Sequence, residues 1–79
     1  MNVRLLYFAS LADRAGCSEE MRQTAAATPR DLYAEVSRAH AFALAPERVR
    51  VAVNGAMASW EHALADGDEI VFLPPVSGG

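Results

Sequence analysis

The sequence predicts an α+β domain in which a mixed sheet is covered on one face by a single main helix. Three observations lead there. Residues 2–8, 48–53 and 69–73 are rich in strand formers and alternate with period two, as half-buried strands do. Only one long stretch, beginning at Thr28, combines a helix-start signal with apolar residues at helical spacing. An apolar helix face must be buried, and one face of a sheet is the natural cover.

The elements follow in order. In residues 2–8, Val3, Leu5 and Tyr7 share one face, and Arg4, Leu6 and Phe8 share the other. Ser10 is placed to cap a short helix over residues 11–15, with Gly16 closing it in a left-handed conformation. Residues 19–24 alternate weakly through Met21, Gln23 and Ala25. They predict a second strand, antiparallel to the first.

Thr28-Pro29-Arg30-Asp31 opens the main helix. Thr28 accepts from an orphan amide, Pro29 loses no needed donor, and Asp31 completes a capping-box-like arrangement at the positive end of the dipole. Leu32, Val36 and Ala39 form the expected buried stripe. The helix ends near residues 40–43, and Phe42 and Leu44 plug the end of the core.

Residues 48–53 give the clearest strand, with Val49, Val51 and Val53 on one face and Arg48, Arg50 and Ala52 on the other. Asn54-Gly55 is a hairpin signal, because both residues tolerate positive φ. A short strand at residues 56–58 follows. Asp66-Gly67-Asp68 makes a turn before the last strand, residues 69–73, in which Ile70 and Phe72 face inward. Pro74 cannot donate to a ladder, so the strand stops there. The chain therefore divides into a folded domain, residues 1–73, and a C-terminal tail, residues 74–79.

Composition narrows the function classes. The chain has 79 residues, enough for one domain, and is 52% hydrophobic, which argues against disorder. A net charge of −3 argues against nucleic acid, whose phosphates call for a basic patch. All seven basic residues are arginine, so no lysine amine is present for acylation. Cys17 is the only cysteine, which excludes an intrachain disulfide and a multi-cysteine metal site. The apolar run at residues 3–11 is too short for a membrane span and is interrupted by Arg4, so a cytoplasmic protein is expected, with no membrane partner.

No catalytic constellation is evident. His40 and His62 are too isolated to suggest a metal pair, and no metal site is expected. Asp66 and Asp68 read as turn residues satisfying nearby amides. The serines lack companion His and Asp at a telling spacing, and a phosphate loop ending in Gly-Lys is excluded without lysine.

The outward faces of the strands say more. By alternation Leu6, Phe8, Ala52, Val71 and Leu73 point away from the helix, and Met57 is placed to join them. A sheet face without a helix is ordinarily polar. An apolar one points to a protein partner. The tail is the other informative feature. Pro74-Pro75 is stiff and extended, and Val76-Ser77-Gly78-Gly79 has little to pack back on the core. Six residues reach roughly 20 Å when extended, and two glycines make a thread thin enough for a narrow channel.

This order of elements with a terminal Gly-Gly resembles the ubiquitin-like β-grasp family. Phe72-Leu73-Pro74-Pro75-Val76-Ser77-Gly78-Gly79, preceded by Asp66-Gly67-Asp68-Glu69-Ile70, resembles within it the small sulfur-carrier subunits of molybdopterin synthases. Val51-Ala52-Val53-Asn54 and Leu6-Tyr7-Phe8-Ala9 match as well. The resemblance implies that Gly79 is adenylated by a ubiquitin-activating-like adenylyltransferase using ATP, and then converted to a thiocarboxylate. The sulfur would pass to cyclic pyranopterin monophosphate inside the large synthase subunit, in a heterotetramer. It further implies that Pro74, Pro75, Val76, Ser77 and Gly78 line the partner's channel, and that Phe8, Met57 and Leu73 belong to the docking surface. On this reading the chain is no enzyme alone and holds no cofactor. Ala12 departs from the family pattern, where many relatives carry arginine. A carrier for another pathway, such as thiamine synthesis, and a ubiquitin-like protein modifier are the alternatives.

Overall fold

The structure is a computed structural model that describes residues 1–75. The expectations for Val76, Ser77, Gly78 and Gly79, and so for most of the tail, lie outside the described residues. The elements are β1 (Asn2–Tyr7), α1 (Ala9–Ala15), β2 (Glu19–Gln23), α2 (Pro29–His40), a 3-10 turn (Pro46–Arg48), β3 (Arg50–Val53), β4 (Ala56–Ala58) and β5 (Glu69–Leu73). The strands form one sheet in the order β2-β1-β5-β3-β4. The central β1–β5 pair is parallel and the other pairs are antiparallel, so the sheet is mixed, as expected.

The core lies between α2 and the middle of the sheet. Val3, Leu5 and Tyr7 from β1, Ile70 and Phe72 from β5, and Val51 and Val53 from β3 meet Leu32, Tyr33 and Val36 of α2. Period two on the strands and the helical period on α2 put these residues on facing surfaces. Tyr33 meets Phe72 edge-on, with ring centroids 5.1 Å apart, and its hydroxyl donates to the Leu44 carbonyl at 2.8 Å. A buried phenol thus keeps a partner, which removes the cost of desolvating it. Phe42 and Leu44 pack against the end of this core, as their spacing beyond α2 suggests.

Four local details differ from the sequence expectation. Phe8, not Ser10, is the N-cap of α1, and it makes no side-chain cap bond; Ser10 lies inside the helix. The helix starts early because the extended Phe8 carbonyl already accepts from the Leu11 and Ala12 amides. Ala39 is exposed, and Tyr33 takes its place in the buried stripe. The larger ring reaches the core, where a methyl would gain little area. Arg48 belongs to the 3-10 turn, since Pro46 at its first position favours helical φ, and β3 begins at Arg50. At the start of α2 the Thr28 hydroxyl accepts from the Asp31 amide at 3.3 Å, but no return bond from Asp31 is present among the described residues.

The turns follow their sequence signals. Gly16 closes α1 at φ 78°, and Asn54-Gly55 adopts φ 52° and 86°, the geometry of a tight hairpin. Asn54 also ties the hairpin to β5. Its side-chain amide donates to Asp68 Oδ1 and its carbonyl oxygen accepts from the Glu69 amide, both at 2.9 Å.

Candidate functional site

The two faces of the sheet differ in what covers them. One is buried under α2. The other carries Leu6, Val71, Ala52 and Met57 in a single row across four strands. Leu6 stands opposite Val71, Val71 opposite Ala52, and Ala52 opposite Met57. The row exists because each residue sits at the outward phase of its strand and the registers align. Met57 is 59% exposed at the edge. Leu6 and Val71 are half-buried, flanked by neighbouring strands. Ala52 points outward as expected but is buried between larger neighbours, which leaves the middle of the row flat.

A second row begins one step further along. Leu73 is half-buried and stands opposite Arg50 on β3. Phe8 follows Tyr7, which pairs with Phe72, so it occupies the next step beside Leu73. Its backbone is extended and its ring is 50% exposed. The expected docking residues Phe8, Met57 and Leu73 are therefore brought to one side of the sheet. Pro74 and Pro75 continue directly from this row, half-buried and exposed respectively.

Sequence reading missed one member of this face and the place of another. Met21 stands opposite Arg4, on the outward phase of β2, and is 69% exposed. Its weak strand pattern hid it, although carrying the alternation of β1 across an antiparallel register would have found it. Arg50 was seen as outward, but its place beside the tail root follows only from its pairing with Leu73.

The ionisable groups near the face are few. Arg4 pairs with Glu19, and with Glu69 at 3.4 Å, along one flank. A separate network serves the fold on the covered side. The Tyr7 hydroxyl donates to Glu20 Oε1 at 2.7 Å, and His40 Nε2 lies 3.0 Å from the same oxygen. Arg22 joins Glu20 at 3.3 Å to Glu35 at 2.5 Å, while the Thr24 hydroxyl donates to Glu35 at 2.7 Å.

Burial, reinforced by the Glu20 carboxylate, pushes the Tyr7 phenol well up. Burial would also raise the Glu20 carboxyl. The hydrogen bonds from Tyr7 and His40 and the nearby charges of His40 and Arg22 outweigh it and hold the group below its usual range. The bond from Arg22, then that from Thr24, lowers Glu35. These groups join β2 to α2, and none stands on the uncovered face.

Other candidate chemistry resolves into structure. Asp68 accepts from the Ala65 amide at 2.8 Å within the turn, as expected, whereas Asp66 accepts at 2.7 Å from the Asn2 amide 64 residues away and ties the turn to the start of β1. Cys17 is half-buried against the core, and His62 is exposed. Among the described residues no group of three His, Cys, Asp or Glu is arranged to hold a metal, and no helix is long and apolar enough to cross a membrane. What the arrangement offers is an apolar surface for a partner, with the chain leaving from its border.

The ThiS family model matches residues 5–79. The chain belongs to the ThiS family. It is 35% identical over 82 residues to the molybdopterin synthase sulfur carrier subunit of Escherichia coli K12, with 98% of this chain and 99% of that one covered. Among solved structures, the putative molybdopterin converting factor subunit 1 of Pyrococcus furiosus is 32% identical. It covers 96% of this chain and 99% of its own, with a TM-score of 0.79. SAMP1 of Haloferax volcanii, a small archaeal modifier protein, is 30% identical, with full coverage of both chains and a TM-score of 0.82. These ThiS-family likenesses bear out the resemblance to sulfur carriers and the ubiquitin-like β-grasp fold read from the sequence.

Proposed function

We propose that this ThiS-family chain is the sulfur carrier of molybdenum cofactor synthesis, the small subunit of a molybdopterin synthase. The observation that carries the reading is the apolar row Leu6-Val71-Ala52-Met57, bordered by Phe8 and Leu73 at the point where the chain leaves the sheet. A docking surface contiguous with a tail root suits a protein that presents its own terminus. The relatives named as sulfur carrier subunits support the choice of pathway.

The chemistry divides between this chain and its partners. The Gly79 carboxylate is a poor electrophile, because its leaving group would be oxide. An adenylyltransferase partner has it attack the α-phosphorus of ATP, releasing pyrophosphate and forming an acyl adenylate. A sulfur nucleophile then attacks the acyl carbon, and AMP leaves with the electron pair. The resulting thiocarboxylate is soft and nucleophilic and delivers sulfur to cyclic pyranopterin monophosphate in the large subunit of a heterotetramer. Pro74, Pro75, Val76, Ser77 and Gly78 line that subunit's channel. Phe8, Met57 and Leu73 hold the domain at its mouth. The domain itself holds no cofactor, and the cycle runs in the cytoplasm.

Intact-mass measurement tests the reading. Incubation with the adenylyltransferase of the same organism, ATP and a sulfur donor is expected to exchange one oxygen for sulfur at Gly79. The exchanged protein should support molybdopterin formation with the large subunit. Failure of exchange with the complete chain would remove the proposal.

The likeness to SAMP1 favours a second reading as a protein modifier. It predicts adducts in which Gly79 is joined to lysines of other proteins, detectable as Gly-Gly remnants after digestion. A thiamine-type carrier predicts instead that a deletion strain requires thiamine while keeping active molybdoenzymes.

A further inference from the structure

Activation of Gly79 puts a reactive acyl group at the end of a short arm, where any amine within reach competes with sulfur for it. The sheet decides which side chains stand there. β3 pairs with β5 so that Arg50 is opposite Leu73, and the 3-10 turn sets Arg48 just before β3. Both arginines are exposed, and with Glu47, Leu73, Pro74 and Pro75 they line an open groove of about 590 Å³. Gly79 is four residues beyond Pro75, a span of at most about 14 Å, so Arg48 and Arg50 lie within its range. A guanidinium keeps its proton at any ordinary pH and offers no lone pair to an acyl carbon. A lysine amine in the same place sheds its proton far more readily and attacks.

Amines are missing or remote elsewhere. None of the 79 residues is lysine. The amine of Met1 donates to the Thr24 carbonyl at 2.9 Å. Because β1 and β5 run parallel with Tyr7 opposite Phe72, Met1 lies six residues back from the tail end of the sheet, roughly 20 Å away and beyond the arm.

We propose that Arg48 and Arg50 are selectivity residues for the activated terminus: they carry positive charge at the tail root without an amine that Gly79 could acylate. This rests on the carrier reading above and adds to it a reason why the activated carboxyl is kept for sulfur. With lysine at either position, the neutral amine attacks the Gly79 acyl carbon. AMP leaves with the electron pair, and the amine proton passes to water. The isopeptide closes the arm into a ring and takes the terminus out of the cycle. A tether of a few residues gives the amine an effective concentration in the millimolar range, which makes this ring closure fast relative to attack by a second molecule.

The test uses the complete chain released from an intein fusion as its Gly79 thioester, which stands in for the acyl adenylate and needs no partner enzyme. Wild type is compared with R48K, R50K and the control Q23K. Gln23 is exposed and stands opposite Asn2, at the far end of the sheet from the tail. In mildly alkaline buffer, wild type and Q23K should only hydrolyse to the free acid. R48K and R50K should each form, at least about tenfold more than either, a monomer one water lighter than the free acid. That product should survive hydroxylamine, as an amide does and a thioester to Cys17 does not, and fragmentation should place the link on residue 48 or 50. Circular dichroism should show all four chains folded alike. A hydroxylamine-stable ring in the wild type, or none in R48K and R50K, would overturn the inference while leaving the carrier reading intact; its absence from one variant removes that arginine from the assignment. Failure of the wild-type chain to exchange oxygen for sulfur would instead remove the carrier reading, with the acylation pattern unchanged.

Discussion

Ala52 and Met57 stand opposite each other across β3 and β4 on the uncovered side of the sheet, and only Met57 reaches solvent. The small residue makes the middle of the face flat, and the larger one raises its rim. Phe8, 50% exposed, raises the other side near the tail root. A partner seated here gains the burial of both side chains without rearranging the core.

Phe8→Asp and Met57→Asp are therefore expected to weaken association with the large synthase subunit about tenfold or more each. Burying such a side chain is worth about 1.5–3 kcal/mol, and about 1.4 kcal/mol is a factor of ten. Titration calorimetry measures this directly. Thermal stability should stay near the wild-type value, because neither side chain is in the core. Undiminished affinity in both variants would show that the partner sits elsewhere.

Acid should loosen the join between β2 and α2. Glu20 and Glu35 both have their carboxyl groups lowered in the fold, Glu20 against the opposing effect of burial and Glu35 chiefly through Arg22. A carboxylate lowered on folding contributes stability that is complete above its unfolded value, about 4.3 for Glu, and is lost as pH falls through the folded value. Tm should thus be level from neutral pH down to about 5 and fall below about 4. Glu35→Gln should lower Tm at neutral pH and flatten the fall. An equally steep acid limb in that variant would assign the loss to other groups.

Asn54→Ala should cost about 1–3 kcal/mol, since it removes two hydrogen bonds and places alanine at a positive φ. Denaturant unfolding at constant m-value checks it. Asn54→Gly restores the backbone freedom but not the bonds, so it should be less damaging. If the two variants are equal, backbone conformation contributes nothing here.

Leu32→Ala should be the most harmful of these changes, at about 2–5 kcal/mol, because Leu32 is fully buried between α2 and the sheet. For so small a domain that is a large share of total stability. Thr28→Ala, which removes only the cap of the same helix, should cost about 1 kcal/mol. Comparing the two by thermal unfolding separates packing from capping in α2.

Much of the architecture was legible residue by residue. Period two in Val3-Leu5-Tyr7 and Val49-Val51-Val53, the Thr28-Pro29 start and the Asn54-Gly55 turn are local signals, enforced by sterics and by the need to pair backbone groups. They determined the order of the elements, the inward faces of the strands and the place where β5 must stop, but not that Tyr33 rather than Ala39 completes the buried stripe of α2. The resemblance of residues 66–79 to sulfur carriers also belongs to the sequence, and so does the expected chemistry of Gly79. Local signals gave the β1–β2 pairing and the β3–β4 hairpin, but not the place of β5 between β1 and β3, because those registers depend on contacts between residues far apart in the chain. The β1–β5 and β3–β5 pairings decided that Leu6, Val71 and Ala52 make one row and that Arg50 stands beside Leu73, while the β3–β4 and β1–β2 registers added Met57 to the row and Met21 to the same face. The tail was visible from the beginning; the surface it leaves from was decided by the sheet.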